Sequence, residues 1–144
     1  MCPDTNNVHP IELAWLAGFT DGEGYIGFDI DKRSVNTVTC NLTLTNTSFH
    51  TMGYVMSVLQ NLQIPFEVRV DDRGERHKKC MRIRIRARDD ITKLLKILEP
   101  YLITKKVQAL VMLKYLSIRK IKGKRSEEET DLISEMRLLN RTGY

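Results

Sequence analysis

The stretch Leu16-Ala17-Gly18-Phe19-Thr20-Asp21-Gly22-Glu23-Gly24 decides the fold, because a helical run rich in small residues ends abruptly in a carboxylate set between two glycines. The helix starts upstream. Pro10 suits a first helical position, where a missing N–H is no loss. Ile11, Leu13, Ala14, Trp15, Leu16, Ala17, Gly18 and Phe19 are apolar nearly all round, which implies contacts on more than one side. Ala14, Gly18 and Gly22 recur every fourth residue and so share one face, where small side chains let a second helix approach backbone to backbone. Gly24 is expected to supply the helix terminus, as glycine does at C-caps, and Glu23 is thereby delivered to a surface.

Strand periodicity follows. From Tyr25 to Asp31, Ile26, Phe28 and Ile30 alternate with Tyr25, Gly27, Asp29 and Asp31. From Thr37 to Asn46, Val38, Cys40, Leu42 and Leu44 face inward while Thr37, Thr39, Asn41, Thr43 and Thr45 face out, with a hairpin loop over 32–36 between the two strands. His50 to Leu62 reads as an amphipathic helix that covers one sheet face and closes at Ile64-Pro65. A second hairpin turns at Asp72-Arg73-Gly74, with Phe66, Val68 and Val70, then Met81, Ile83, Ile85 and Ala87, expected inward. Glu67, Arg69 and Asp71, then Arg82, Arg84 and Arg86, are expected outward. Three arginines on one strand face repel one another unless something anionic lies opposite. A helix over Asp89 to Leu98 ends at Pro100, and a longer one from about Ile103 to Ile118 is expected to bury Val107, Leu110, Val111 and Leu113. A basic run over 119–125 precedes Glu127-Glu128-Glu129, which suit the first turn of a last helix over about 127–140. That helix is expected to dock through Leu132, Ile133, Met136, Leu138 and Leu139. The basic run either grips phosphates or is a solvated linker; both readings stay open.

At 144 residues the chain is about one domain, 1–144, with no internal repeat. Lys+Arg of 23 against Asp+Glu of 18 gives a net charge of +5 and a pI near 9.2, which favours anionic partners such as nucleic acid. Cys2, Cys40 and Cys80 are odd in number and show no paired spacing, so neither a disulfide framework nor a zinc site is expected. No charged-then-apolar leader opens the chain, and no apolar run approaches the roughly 18 residues of a membrane span. The protein is therefore expected to act inside a cell, in a prokaryotic cytoplasm or a eukaryotic organelle, neither secreted nor in a membrane. The three histidines His9, His50 and His77 lack evident partners for a nucleophilic triad.

The nine-residue stretch resembles the LAGLIDADG motif of homing endonucleases, DNA-cleaving enzymes usually encoded within introns. Leu16, Ala17, Gly18, Asp21 and Gly24 match letter for letter, Gly22 puts another small residue where the motif has alanine, and Glu23 keeps the charge of the second acid. The order of strands and helices, and Pro100-Tyr101-Leu102 followed by Lys105, extend the resemblance over roughly residues 10 to 118. The resemblance implies an α+β fold of αββαββα order: a four-stranded, saddle-shaped antiparallel sheet with helices on one face. It further implies a homodimer whose paired motif helices meet through Ala14, Trp15, Ala17, Gly18, Asp21 and Gly22.

Phosphodiester hydrolysis calls for a metal held by hard oxygen ligands. Glu23, with the carbonyl of Gly22, is the candidate ligand set for Mg2+, Mn2+ being a plausible substitute; a helix C-terminus also favours a cation. Elsewhere a glutamate beside a turn is an ordinary surface residue, and it is the motif that reverses this reading. The resemblance carries three further catalytic candidates by position: Asn46, which would orient water; Lys105, which would approach the scissile phosphate; and His50, where relatives often carry a basic residue. The bland alternatives are a strand-end cap for Asn46 and a solvated helix lysine for Lys105. Asp21 is read as structural, hydrogen-bonding near the helix end. The outward set (Tyr25, Gly27, Asp29, Asp31, Thr37, Thr39, Asn41, Thr43, Thr45, Glu67, Arg69, Asp71, Arg82, Arg84 and Arg86), with Lys32, Arg33 and Arg73 from the loop tips, contains the side-chain types that read base edges in a major groove. On pattern alone it is equally a solvated face. A strand of about seven residues rises about 3.3 Å each, so one sheet would track about seven base pairs of a near-palindromic double-stranded DNA site.

The expected function is therefore site-specific double-strand cleavage by a metal-dependent hydrolase. A second reading, a maturase-like protein binding its host intron RNA, uses the same basic surface but has no need of the acid at position 23. A third, a DNA-binding regulator, fits poorly for the same reason.

Overall fold

The computed structural model describes residues 8–31, 33, 37–72, 74–119 and 123–142. Cys2, Lys32, Arg73 and residues 120–122 of the basic run lie outside them. Five helices and four strands follow one another as α1 (Pro10–Glu23), β1 (Gly24–Ile30), β2 (Val38–Asn46), α2 (Phe49–Asn61), β3 (Glu67–Asp71), β4 (Cys80–Ile85), α3 (Arg88–Leu98), α4 (Lys106–Ile118) and α5 (Glu127–Thr142), with one 3-10 turn at Glu99–Tyr101. The strands form one antiparallel sheet in the order β1-β2-β4-β3. The α+β order expected from the sequence is the one observed.

Local chemistry sets the boundaries. His9, not read as a capping residue in the sequence, caps α1, its Nδ1 accepting the Ile11 N–H at 3.1 Å. Ser48 caps α2 by accepting the Thr51 N–H at 3.2 Å. Past α2, Gln63 takes a left-handed φ of 58°, and the Ile64 N–H returns to the Leu59 carbonyl at 3.0 Å, so the chain stops ahead of Pro65. At the end of α1, Gly24 is extended, with φ −91° and ψ 162°, not left-handed. Glycine is needed there for close approach: a Cβ would lie 2.6 Å from the Thr20 carbonyl oxygen and 3.1 Å from Leu44 Cδ2.

Leu13, Leu16, Ala17 and Thr20 turn one side of α1 into the core. There they join Ile26, Phe28, Cys40, Leu42, Leu44, Ile83 and Ile85 from one sheet face and the buried sides of α2, α3, α4 and α5. Each fully buried leucine or isoleucine contributes about 1.5–3 kcal/mol of hydrophobic stabilisation. Thr20, also buried, returns its hydroxyl to the Leu16 carbonyl at 2.7 Å.

Three burial expectations are corrected. Val68 and Val70 are 45% and 47% exposed, because β3 is an edge strand beyond the cover of the helices; of the rest of the expected inward set, Phe66 and Met81 are only partly buried, and Ala87 is exposed because β4 ends before it and it precedes the first turn of α3. On α4 the buried side runs through Gln108, Ala109, Val111, Met112 and Tyr115, leaving Val107 and Leu110 exposed. Apolar residues lie nearly all round that helix, so its sequence did not select a face. Leu138 is exposed on α5, while Leu132, Ile133 and Met136 dock as expected. A nearly buried ion pair, Arg119 to Glu129 at 2.9 Å, fixes the start of α5 to the end of α4, and Asn140 donates to the Ile26 carbonyl on β1 at 2.9 Å.

Candidate active site

Glu23 is the last residue of α1 and is exposed. Its neighbour Asp21 turns the other way: its carboxylate oxygens accept the backbone N–H groups of Ile103 at 2.8 Å and Lys105 at 2.9 Å. This acid clamps the loop that leads into α4 against the end of the motif helix. Lys105 completes the clamp, its ammonium donating to the Asp21 carbonyl oxygen, where the negative end of the helix dipole favours a cation. Burial holds the Lys105 amine below the usual lysine value, while the charges of Asp21 and Glu23 act in the opposite sense. Glu23 and Lys105 are thus brought into electrostatic reach of each other from opposite ends of the chain. The sequence reading gave Asp21 a structural role near the helix end; its partners, 82 and 84 residues away, leave no local trace.

Asn46 ends β2 two residues beyond Leu44, the partner of Gly24, which puts it about 7 Å along the strand from the residue after Glu23. Its Oδ1 accepts the Ser48 N–H at 2.7 Å, forming the strand-end turn, which leaves the amide nitrogen as the end able to turn outward. His50 is exposed in the first turn of α2 and lines a shallow groove with Ile11, Trp15, Thr51 and Tyr54, a set that does not include Glu23.

The other face of α1 is open. Ala14, Gly18 and Gly22 are exposed, and a Cβ at Gly18 or Gly22 would meet nothing within 4 Å. Ala17 is 0% exposed and belongs to the core, so the open face excludes it. Trp15 is half-covered by Phe19, stacked at 5.3 Å between centroids, and by the edge of Tyr54 at 4.7 Å. Asp21 spends its carboxylate within its own chain.

The outward side of the sheet is a polar lattice. Tyr25, Thr43, Arg84 and Glu67 form one row across all four strands, and Thr45, Arg82 and Arg69 another. Gly27 is buried: the Tyr25 phenol occupies the space its Cβ would need, so it offers no direct surface. Asp29 accepts from Asn41 at 3.0 Å, and the Asn41 side-chain oxygen accepts the Thr43 hydroxyl. Thr39 and Arg69 are exposed, while Asp31, with Arg33 donating to it at 2.8 Å, and Thr37 close the loop end of the first hairpin. The arginine repulsion anticipated on β4 is answered within the chain: Arg82 pairs with Asp71 at 3.0 Å, and Arg86, just past the strand, with Glu67 at 3.1 Å. A concavity of about 430 Å³ opens between β3 and β4, lined by Glu67, Val68, Arg69, Arg82, Arg84 and Arg86.

Among the described residues no three acids, histidines or cysteines cluster to hold a metal. No helix there is long and apolar enough to cross a membrane.

No curated protein matches this chain. Solved structures do. The homing endonuclease I-CvuI, in complex with a DNA target, aligns with a TM-score of 0.63 at 23% identity, covering 92% of this chain and 80% of that one. The homing endonuclease I-TnaI aligns with a TM-score of 0.61 at 20% identity, over 99% and 97%. The meganuclease I-SmaMI, bound to uncleaveable DNA, aligns with a TM-score of 0.65 at 19% identity, over 90% of this chain and 43% of that one. At these identities the likeness establishes the fold. The family model for LAGLIDADG endonuclease matches residues 16–126, from inside α1 to just before α5. With the motif helix ending at an exposed Glu23 and the matched region spanning most of its length, the chain belongs to the LAGLIDADG endonuclease family.

Proposed function

We propose that the protein is a homodimeric, site-specific DNA endonuclease that makes a double-strand break in a long, near-palindromic site, using a divalent cation. The observation that carries this reading is the coincidence at one end of α1. An open face of small residues ends in an exposed acid, with a clamped lysine within electrostatic reach. I-CvuI was solved with a DNA target, in one case with magnesium and in another with calcium.

The donor set fits a hard divalent cation such as Mg2+, or Mn2+ in its place, provided that two chains share it. Among the described residues, Glu23 is the one free acid at this end of α1, since Asp21 is spent on Ile103 and Lys105. Glu23 and the Gly22 carbonyl would hold the ion; when bound, it would supply an acidified water and neutralise charge at the phosphate. Lys105 would approach the scissile phosphate and offset the charge that builds on its oxygens, and the Asn46 amide would orient the attacking water. Water adds to phosphorus as the phosphodiester P–O bond breaks, and the leaving oxygen takes up a proton. The polar sheet face would lie in the major groove of each half-site. Incubating long randomised duplexes with magnesium tests the reading: the parent is expected to cut a subset and Glu23→Gln to cut none. Undiminished cutting by that variant overturns the assignment of the active site.

A further inference from the structure

We propose that Arg84 is the guanine-reading residue of each half-site and so fixes a base identity in the target. This inference rests on the DNA-cleaving reading above. Four arginines of the second hairpin point outward: Arg69 lies exposed on the edge strand β3, and two of the other three are already bonded, Arg82 to Asp71 at 3.0 Å and Arg86 to Glu67 at 3.1 Å. Arg84 is different. Its nearest acid, Asp29, stands 3.9 Å away, and the Asp29 oxygen concerned already accepts from Asn41 at 3.0 Å. The Arg84 Nε is buried and has no hydrogen-bond partner, the only such side-chain atom among the described residues. Buried donors are almost always paired, and leaving one unpaired is unfavourable. Rotating Arg82 or Arg86 toward a ligand breaks an ion pair; rotating Arg84 out to an acceptor above the sheet relieves an unmet donor.

Position selects the acceptor. Arg84 stands between Thr43 on β2 and Glu67 on β3, inside the sheet and within the concavity. Phosphates follow the rim of a groove, whereas base edges form its floor, so an interior arginine meets a base. Guanine alone presents two adjacent major-groove acceptors, N7 and O6, to the arginine fork. Adenine and cytosine present an amino donor there, and thymine a single oxygen beside a methyl group.

The test incubates the parent, Arg84→Gln, Arg84→Lys and, as a control, Arg82→Gln with a pool of randomised duplexes in magnesium, and the cut molecules are sequenced. The parent is expected to prefer guanine about 10- to 100-fold at one dyad-related pair of positions. Arg84→Gln is expected to lose that preference there and keep the others, while Arg82→Gln retains it. Arg84→Lys, which keeps a charge beside Asp29, carries the same readout if the glutamine variant melts early. If the parent cuts a defined site but both Arg84 variants keep its base profile, or lose cutting equally for all bases, the inference is overturned and the endonuclease reading stands. If the parent cuts nothing, both are overturned.

Discussion

Replacing Asp21 by alanine tests whether the first acid of the motif is a structural clamp. The substitution removes two hydrogen bonds, to Ile103 N–H at 2.8 Å and Lys105 N–H at 2.9 Å, and leaves both donors without their acceptor. A hydrogen bond to a charged group is worth about 1.5–3 kcal/mol net. Because Asp21 is only half-buried and Ile103 is exposed, water replaces part of the loss, and the total falls to about 2–4 kcal/mol. For a domain of about this size each kcal/mol shifts Tm by about 2–4 °C, so Asp21→Ala is expected to melt about 8 °C below the parent. Asp21→Asn keeps one acceptor and should fall between the two. Glu23→Gln removes an exposed acid from the negative end of a helix dipole, so it should melt at or slightly above the parent. The assay is thermal unfolding followed by far-UV circular dichroism at one fixed protein concentration, because the proposed dimer would make Tm concentration-dependent. An Asp21→Ala protein melting within about 2 °C of the parent would refute the clamp.

Three further outcomes follow from the same geometry. Gly24→Ala forces a Cβ to 2.6 Å from the Thr20 carbonyl oxygen, a contact with backbone that no rotamer relieves; it should cost about 2–4 kcal/mol in urea unfolding, and a neutral result would remove the close-approach explanation. Gly18→Leu meets nothing within 4 Å in its own chain and adds helix propensity, so the fold should persist while a tightly apposed dimer dissociates; sedimentation equilibrium should report a monomer, and an unchanged dimer would place the partner elsewhere. The Cys40 thiol is pushed up to about 11 by burial, so at pH 8 iodoacetamide should modify it on the order of 100-fold more slowly than a free cysteine and well after the partly exposed Cys80. Peptide mapping by mass spectrometry reads the order directly, and simultaneous labelling would contradict the packing of β2.

Much of this architecture is written in local pattern. The 2-residue alternation of β1 and β2 and the small-residue spacing of α1 depend on neighbours a few positions apart, and each element formed where those patterns lie. What failed depends on the third dimension. Alternation in β3 separates two faces but cannot say whether a helix reaches the edge strand to cover one, so the exposure of Val68 and Val70 is not written in it. The apolar girdle of α4 left its buried side undetermined, and only the packing of Ala109, Met112 and Tyr115 resolves it. At the candidate active site Glu23 is legible because a motif names it. The Asp21 clamp that brings Lys105 within its reach was not, since contacts spanning more than 80 residues leave no periodic trace. The orphaned Arg84 nitrogen was equally invisible, because a pattern of outward arginines cannot tell which of them find acids.

The attachment of α5 to β1 has a consequence for how the molecule behaves in crowded solution. β1 is the outermost strand on its side of the sheet, and Asn140 occupies the Ile26 carbonyl with a side-chain amide. A chain cut short near Ser126 would retain the whole matched family region yet leave that border unsealed, free to template strands from neighbouring molecules. The final helix thus occupies one carbonyl of that border as well as bracing the core.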